Sequence, residues 1–252
     1  MHFLDLELTN VSTKIVLNEE QKELIKQATF ASYPNEMCGF LTEQSFIAVP
    51  NIADDPAKTF KISLEDQSKW FKDATAIVHS HCRAPRTPEI LDLRTPSVSD
   101  VKGQKATNIP WLIVGCESYT VSEPLQIPRV RSNEYLNRRF MWFVNDCYTL
   151  VQDWYYFELG ITLKDYVLDA EYTDIRRLAD LFTPYIADYG FVEVNLKELQ
   201  RGDLLLVDNM GFANNHLIIY TGNECLHQDQ LSVILPFETF YGRIKKVLRY
   251  AN

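Results

Sequence analysis

The stretch Asn145-Asp146-Cys147-Tyr148-Thr149-Leu150-Val151-Gln152-Asp153-Trp154-Tyr155 decides how the second half of this chain is read. Cys147, Leu150, Val151, Trp154 and Tyr155 fall on one face at helical spacing. Asn145 and Asp146 stand in capping range just before them. The spacing predicts a helix over 147–159, with Trp154, Tyr155 and Tyr156 as core packing. A thiol on its first residue meets the positive end of the helix dipole, which is expected to lower its pKa and raise its thiolate fraction. From about residue 191 the pattern changes to short apolar runs, 204–207, 217–220, 225–227, 232–235 and 244–248, split by Gly, Asn and Pro. One helix followed by strands is an α+β arrangement.

Gly222-Asn223 is a favoured two-residue hairpin turn. With that turn Tyr220 faces Cys225, Ile219 faces Leu226 and Ile218 faces His227. His216 shares a strand face with Ile218, so His216 and His227 lie diagonally within reach on one face. A three-residue loop would put the imidazoles on opposite faces. The register therefore permits a Cys147-His216-His227 triad without requiring it. The plainer alternative is a small buried thiol and two ordinary sheet histidines.

The first half alternates helices and strands. Asn18 with Gln21 predicts a capped helix over 18–32, stopped by Pro34-Asn35. Strands are expected at 38–41, 46–49, 74–78 and 111–114, with helices over 63–72, capped by Ser63, and 97–107, capped by Ser97. This is the pattern of an α/β layer. Residues 121–134, with Pro124 and Pro128 among polar neighbours, read as the domain boundary, and 82–96 reads as a loop. His79 and His81, two apart at a strand end, point to one face. Two imidazoles, a carboxylate and an open position form a catalytic zinc pattern. The carboxylate candidates are Glu89, Asp92 and Asp100. Asp100 is favoured because a capped helix start is a firmer mount than a loop. Read alone, a His-x-His is equally a polar strand end without an ion.

Bulk properties narrow the class. The 252 residues suit one large or two small domains. A net charge of −9 argues against nucleic acid and against an anionic membrane surface. No apolar run approaches the ~20 residues of a membrane helix, so no membrane insertion is expected. Met1–Glu7 carries acids and no basic region, so it does not read as a signal peptide, and synthesis in a cytoplasm is expected. Five cysteines at wide spacing, without a Cys-x-x-Cys, suggest reduced thiols. Arg138-Arg139 and Lys245-Lys246 read as solvated pairs, and Arg83, Arg86 and Arg94 as candidate contacts to an acidic partner.

Taken in order, Asn35-Glu36-Met37-Cys38-Gly39-Phe40-Leu41, His79-Ser80-His81, Ser97-x-x-Asp100 and Ile109-Pro110-Trp111-Leu112-Ile113-Val114 resemble the JAMM metalloprotease domain over roughly 18–120. The resemblance implies an α/β JAMM-like domain over 1–122, with Zn2+ held by His79, His81 and Asp100. Glu36 would then be the general base and Ser97 an oxyanion donor. The loop 82–96 is longer than in that family. Cys82 stands where Pro is common and is a candidate soft ligand. Asp146-Cys147-Tyr148-Thr149-Leu150, Arg201-Gly202-Asp203-Leu204, the run from Asn215 through His216 to Gly222, and Leu226-His227 resemble the NlpC family of papain-like cysteine peptidases. That implies an α+β papain-like NlpC-type domain over 130–252 with Cys147 as nucleophile, His216 as base and His227 as orienting residue. Such enzymes cut the D-glutamyl–diamino-acid bond of cell-wall stem peptides. Phe140-Met141-Trp142-Phe143 lacks the Tyr and Gly that many members carry before the Cys, and Tyr135 is a candidate replacement donor.

The two patterns in series resemble tail-tip assembly proteins of long-tailed bacteriophages. The resemblance implies phage tail-tip proteins and bacterial peptidoglycan as partners. It also implies residence in the host cytoplasm during assembly or at the virion tail tip, and two hydrolytic activities. The alternative is a structural adaptor that has lost one or both activities. A deubiquitinase-like enzyme would explain the first half but not the second.

Overall fold

The computed structural model describes residues 13–83, 92–118, 120–165, 182–209 and 211–251. They divide into two compact units, Asn10–Val130 and a second built on Arg131–Asn252. Among the described residues no helix is long and apolar enough to cross a membrane.

In the first unit α1 (Glu19–Ser32) begins as its capping pair dictates. Asn18 Oδ1 accepts from the Gln21 amide at 2.8 Å, and Gln21 Oε1 accepts from the Asn18 amide at 3.0 Å. Next come β1 (Cys38–Leu41), β2 (Phe46–Val49) and α2 (Leu64–Trp70), the last capped by Ser63. They are followed by β3 (Ala76–Cys82), α3 (Val98–Thr107), β4 (Trp111–Glu117), β5 (Thr120–Val121) and β6 (Leu125–Ile127). The sheet runs β2-β1-β3-β4-β5, with β6 also on β4, and β3 pairs parallel to β4. One face of β3 and β4 (Ala76, Val78, Leu112, Val114) clusters with Ile25 of α1. The other carries His79 and His81.

Two boundaries differ from the sequence expectation. The strand expected at 74–78 runs on to Cys82 because β4 supplies a partner that far, pairing His81 with Gly115 and Cys82 with Cys116. The histidines thus sit inside a strand, not past its end. The boundary expected at 121–134, with the first domain ending at 122, contains β6, which pairs Ile127 with Trp111. Prolines at its flanks mark an edge strand here.

The second unit contains α4 (Cys147–Trp154), β7 (Phe191–Val194), β8 (Leu204–Asn209), β9 (Phe212–Tyr220), β10 (Glu224–Gln228), β11 (Ser232–Pro236) and β12 (Ile244–Tyr250). Its antiparallel sheet has the order β11-β10-β9-β8-β12-β7. Leu150, Val151, Trp154 and Tyr155 bury against Leu204, Leu206, Leu217, Ile219, Leu226 and Leu248. The opposite face packs Leu205, Val207, Ile218, Cys225 and Val247 around Phe240. The helix expected over 147–159 is α-helical to Trp154 and widens into a π turn, Tyr155–Leu159, ending on left-handed Gly160. Tyr155 lies in the core as expected, its hydroxyl donating to the Gly202 carbonyl, whereas Tyr156 turns outward beneath Arg131.

β9 begins earlier than its apolar run. Its polar start is satisfied locally: the Asn209 amide donates to Asn215 Oδ1 at 2.8 Å, and the Asn214 amide to Asp208 Oδ1 at 2.9 Å. This extension is what puts His216 in the sheet, opposite Val207.

Candidate functional site

Three side chains converge on the helix-α3 side of β3. His79 and His81 come from one strand, and Asp100 from the first turn of α3. Asp100 is fixed twice over: Ser97 Oγ accepts from its amide at 3.1 Å, and its Oδ2 accepts from the Ser97 amide at 2.7 Å. His79 Nε2 lies 3.2 Å from Asp100 Oδ1, His81 Nε2 lies 3.2 Å from Asp100 Oδ2, and the two Nε2 atoms are 3.1 Å apart. A ring hydrogen bond from His81 Nδ1 to the Leu93 carbonyl, at 2.7 Å, leaves its Nε2 lone pair facing the cluster. Two lone-pair donors and a carboxylate this close need a cation or shared protons between them. With zinc–ligand bonds of about 2.0–2.1 Å, tetrahedral edges come to about 3.3 Å. The donor set and its spacing therefore fit a divalent metal.

The surroundings are dry. His79 is fully buried, stacked on Phe60 at 4.5 Å and edge-on to Trp111 at 5.6 Å. Among the described residues its Nδ1 has no hydrogen-bond partner, a departure from the usual outer-shell pattern. Burial holds the His79 pKa down. Burial also opposes charge on His81 and Asp100. Their mutual hydrogen bonds and charges outweigh it, raising His81 and holding Asp100 well below the usual carboxylate range. Glu36, just before β1, is buried and pushed up to about 7 by that burial, with His81 and Asp100 exerting smaller, opposing effects.

Other expectations for this unit change. Cys82 alternates with His81 along β3 and points to the opposite face, where its Sγ donates to the Asn35 carbonyl at 3.3 Å. It is not among the converging donors. Asp92 is committed to Arg94, at 2.9 Å to Nε and 2.6 Å to Nη2. Arg83 pairs with Glu117 at 2.5 Å, so these two arginines are engaged within the chain. Glu89 and Arg86 lie outside the described residues. Ser97 is placed beside the cluster, its oxygen taken by the Asp100 cap.

In the second unit the hairpin register is the one the Gly222-Asn223 turn predicts, with Tyr220 opposite Cys225 and Ile218 opposite His227. His216 Nε2 accordingly lies 3.3 Å from His227 Nδ1. That leaves His216 Nδ1 as the nitrogen for a thiol. Cys147 opens α4, capped by Asp146, whose Oδ1 accepts from the Thr149 amide at 2.8 Å. Asp146 Oδ2 also takes the Phe143 amide at 2.8 Å, tying the preceding turn to the helix. Phe143 adopts φ +64, the left-handed conformation that the missing glycine would have supplied without strain.

The thiol is not the activated one expected. Burial, then the Asp146 charge, push Cys147 up to about 12, and the main-chain groups of Leu217, Tyr148 and Cys147 itself only partly offset this. Burial in apolar surroundings outweighs the helix dipole. Among the described residues no hydrogen bond joins Cys147 to His216; the thiol's neighbour on β9 is the backbone of Leu217, the next residue. Tyr135 does not substitute as oxyanion donor. Its hydroxyl donates to Glu158 Oε1 at 3.2 Å, at the far end of the helix that Cys147 opens.

Burial, then the His227 and Arg243 charges, hold His216 down at about 3. Its ordinary value is 6.5, so between those values the unfolded chain binds a proton that the folded chain does not. The associated stability is full above 6.5 and is lost as pH falls toward 3, at up to about 1.4 kcal/mol per pH unit. Urea midpoints of wild type should therefore drop from pH 7 to pH 5 more steeply than those of His216→Asn. Parallel profiles would contradict the assignment.

Sequence reading missed the Arg138–Asp153 pair. Asp153 is fully buried on α4 and takes Arg138 Nη1 at 2.7 Å. Arg138, expected to be solvated, also donates to the Glu134 and Ser132 carbonyls at 2.6 and 2.7 Å. Its backbone joins Ser232 and Gln228 of the sheet. An aspartate set among Leu150, Val151, Trp154 and Tyr155 was the available signal, since a buried charge demands a partner. Lys245 and Lys246 are partly exposed, as expected, and pair with Asp208 and Glu193.

Residues 136–244 match the NlpC/P60 family. The tail tip assembly protein K of Escherichia phage N15 is 29% identical over 236 residues, covering 88% of this chain and 90% of that protein. The tail tip assembly protein K of Escherichia phage lambda is 30% identical over 169 residues, covering 66% of this chain and 76% of that protein. A Desulfitobacterium hafniense protein of known solution structure is 19% identical and covers 43% of this chain and 79% of that one, at a TM-score of 0.29, too low to bear on the fold. On the extent of the likeness to the lambda protein, the chain belongs to the tail tip assembly protein K family of bacteriophages.

Proposed function

We propose that this is a tail-tip assembly protein whose second unit is a cysteine endopeptidase acting on peptidoglycan stem peptides. The observation that carries the reading is the pairing of His216 Nε2 with His227 Nδ1 at 3.3 Å, in the segment matched to NlpC/P60. Cys147 Sγ attacks the carbonyl carbon of the γ-D-glutamyl–diamino-acid amide as its proton passes to His216 Nδ1. His227 steadies the imidazolium through Nε2. The carbonyl oxygen takes the negative charge. The amide C–N bond then breaks, and His216 gives its proton to the departing amine, leaving a thioester on Cys147. Water, deprotonated by His216, attacks the thioester, and the thiol is restored. Host-cell peptidoglycan and other tail-tip proteins are the partners this reading assigns, with assembly in the infected cytoplasm and a place at the tail tip.

For the first unit we propose a JAMM-like zinc peptidase that trims a tail protein. Zinc held by His79, His81 and Asp100 would act as a Lewis acid on the scissile carbonyl and make water more acidic. Glu36, with a pKa raised to about 7, takes the water proton and returns it to the leaving amine. Ser97, whose oxygen is held by the Asp100 amide, retains an O–H to donate to the carbonyl oxygen.

A second reading has its own support. The raised thiol of Cys147, unconnected to His216, suits an adaptor that keeps the fold without the activity. Hydrogen bonds in resting active sites often tighten only around substrate, so digestion decides. Purified protein mixed with stem peptides should release fragments with a new diamino-acid amine, read by mass spectrometry. Intact peptides after prolonged incubation would leave the adaptor.

A further inference from the structure

We infer that Arg243 receives a carboxylate of the substrate beside the histidine pair, making the second unit selective for a free acid on the acyl side of the bond it cuts. This rests on the peptidase reading and deepens it.

Arg243 immediately precedes Ile244 of β12, and Ile244 pairs with Val207, which in turn pairs with His216. Its guanidinium lies 6.0 Å from the Phe240 ring centroid, and that ring is 5.0 Å from the His227 ring. Nη2 donates to the Asp208 carbonyl at 3.0 Å and reaches Asn209 Oδ1 at 3.4 Å. The side chain is thus held along the tip of the β8–β9 hairpin, on the sheet face that bears both histidines. Arg243 itself is exposed.

Among the described residues this cation has no carboxylate at ion-pair distance, and Asp208 acts on it only through charge. The nearest candidate, Asp208, is spent on Lys245 at 3.2 Å and on the Asn214 amide at 2.9 Å. Arg83, Arg94, Arg131, Arg138, Arg201 and Arg249 meet Asp or Glu within 4.0 Å, whereas Arg139, like Arg243, has no such pair among the described residues. In a chain of net charge −9 an exposed, oriented arginine without an ion pair, whose charge reaches both imidazoles, is a ready anion receptor. Its field also disfavours protonation of both imidazoles, a cost that a bound carboxylate would relieve. A γ-linked glutamyl residue carries its free α-carboxylate a few bonds from the scissile carbonyl, and so offers such an anion on the acyl side.

The test uses the full-length Cys147→Ala protein, which binds without cutting. Its calorimetric affinity is compared for a γ-D-glutamyl stem peptide and for the same peptide with the α-carboxylate converted to an amide. A preference for the acid of roughly tenfold is expected, falling to near unity on Arg243→Gln and to an intermediate value on Arg243→Lys. A merely structural role would shift both affinities together and leave their ratio alone. Equal affinities, an unchanged ratio in Arg243→Gln, or binding of neither peptide overturns the inference. Acid-selective binding by a wild-type protein that never hydrolyses the peptide would sink the peptidase reading while sustaining this one.

Discussion

Cys147→Ala should lower single-turnover hydrolysis of stem peptides by 10³-fold or more while leaving the fold in place. The side chain is only 9% exposed, and trading a thiol for a methyl removes one atom from a packed site, a change of order 1 kcal/mol. The chemical loss is far larger because the proposed thioester forms on this sulfur. His216→Ala should cost about as much, and the double variant little more, since residues acting as one unit are not additive. His227→Gln should be milder, roughly 10- to 100-fold, because an amide can still hold His216 Nε2 in place. Burst and steady-state rates on a defined peptide separate these outcomes. Residual turnover in Cys147→Ala close to wild type would show that the nucleophile lies elsewhere.

Asp100→Asn should abolish stoichiometric zinc binding while α3 stays folded. The asparagine side-chain carbonyl can still accept from the Ser97 amide, so the reciprocal contact with Ser97 can persist. The charge is lost, however, and with it the anion that balances a divalent ion between His79 and His81. Wild type should bind about one zinc per chain, with affinity reduced at least a hundredfold in the variant. Chelation should lower the melting temperature of wild type and leave Asp100→Asn unmoved, because only the former gains stability from ligand binding. Wild-type protein that takes up no zinc, with identical melting in chelator, would refute the metal site.

Local signals were the most legible part of this sequence. Asn18, Ser63, Ser97 and Asp146 each cap the helix that their chemistry announces. The Gly222-Asn223 turn set the register that joins His216 to His227. In both cases the determining interaction spans a few residues. What escaped depends on solvent and on distant chain. The Cys147 pKa follows from how completely α4 is enclosed, which no window of sequence reveals. Arg138 looked like half of a surface pair because its partner, Asp153, is 15 residues away on an enclosed helix. Tyr135 looked available until Glu158 claimed its hydroxyl. β6 was hidden by prolines that mark an edge strand as readily as a linker.

The Arg138–Asp153 contact also has a mechanical meaning. The chain enters the second unit at Arg131, and Arg131, Ser132 and Arg138 all reach back to Gln152 or Asp153 before the chain arrives at Cys147. Tension arriving along the backbone from upstream would load this buried clamp in shear, with the Ser232 and Gln228 contacts sharing the strain. The turn that carries the nucleophile would feel little of it. Such strain relief would keep the thiol's surroundings constant while the rest of the chain is pulled.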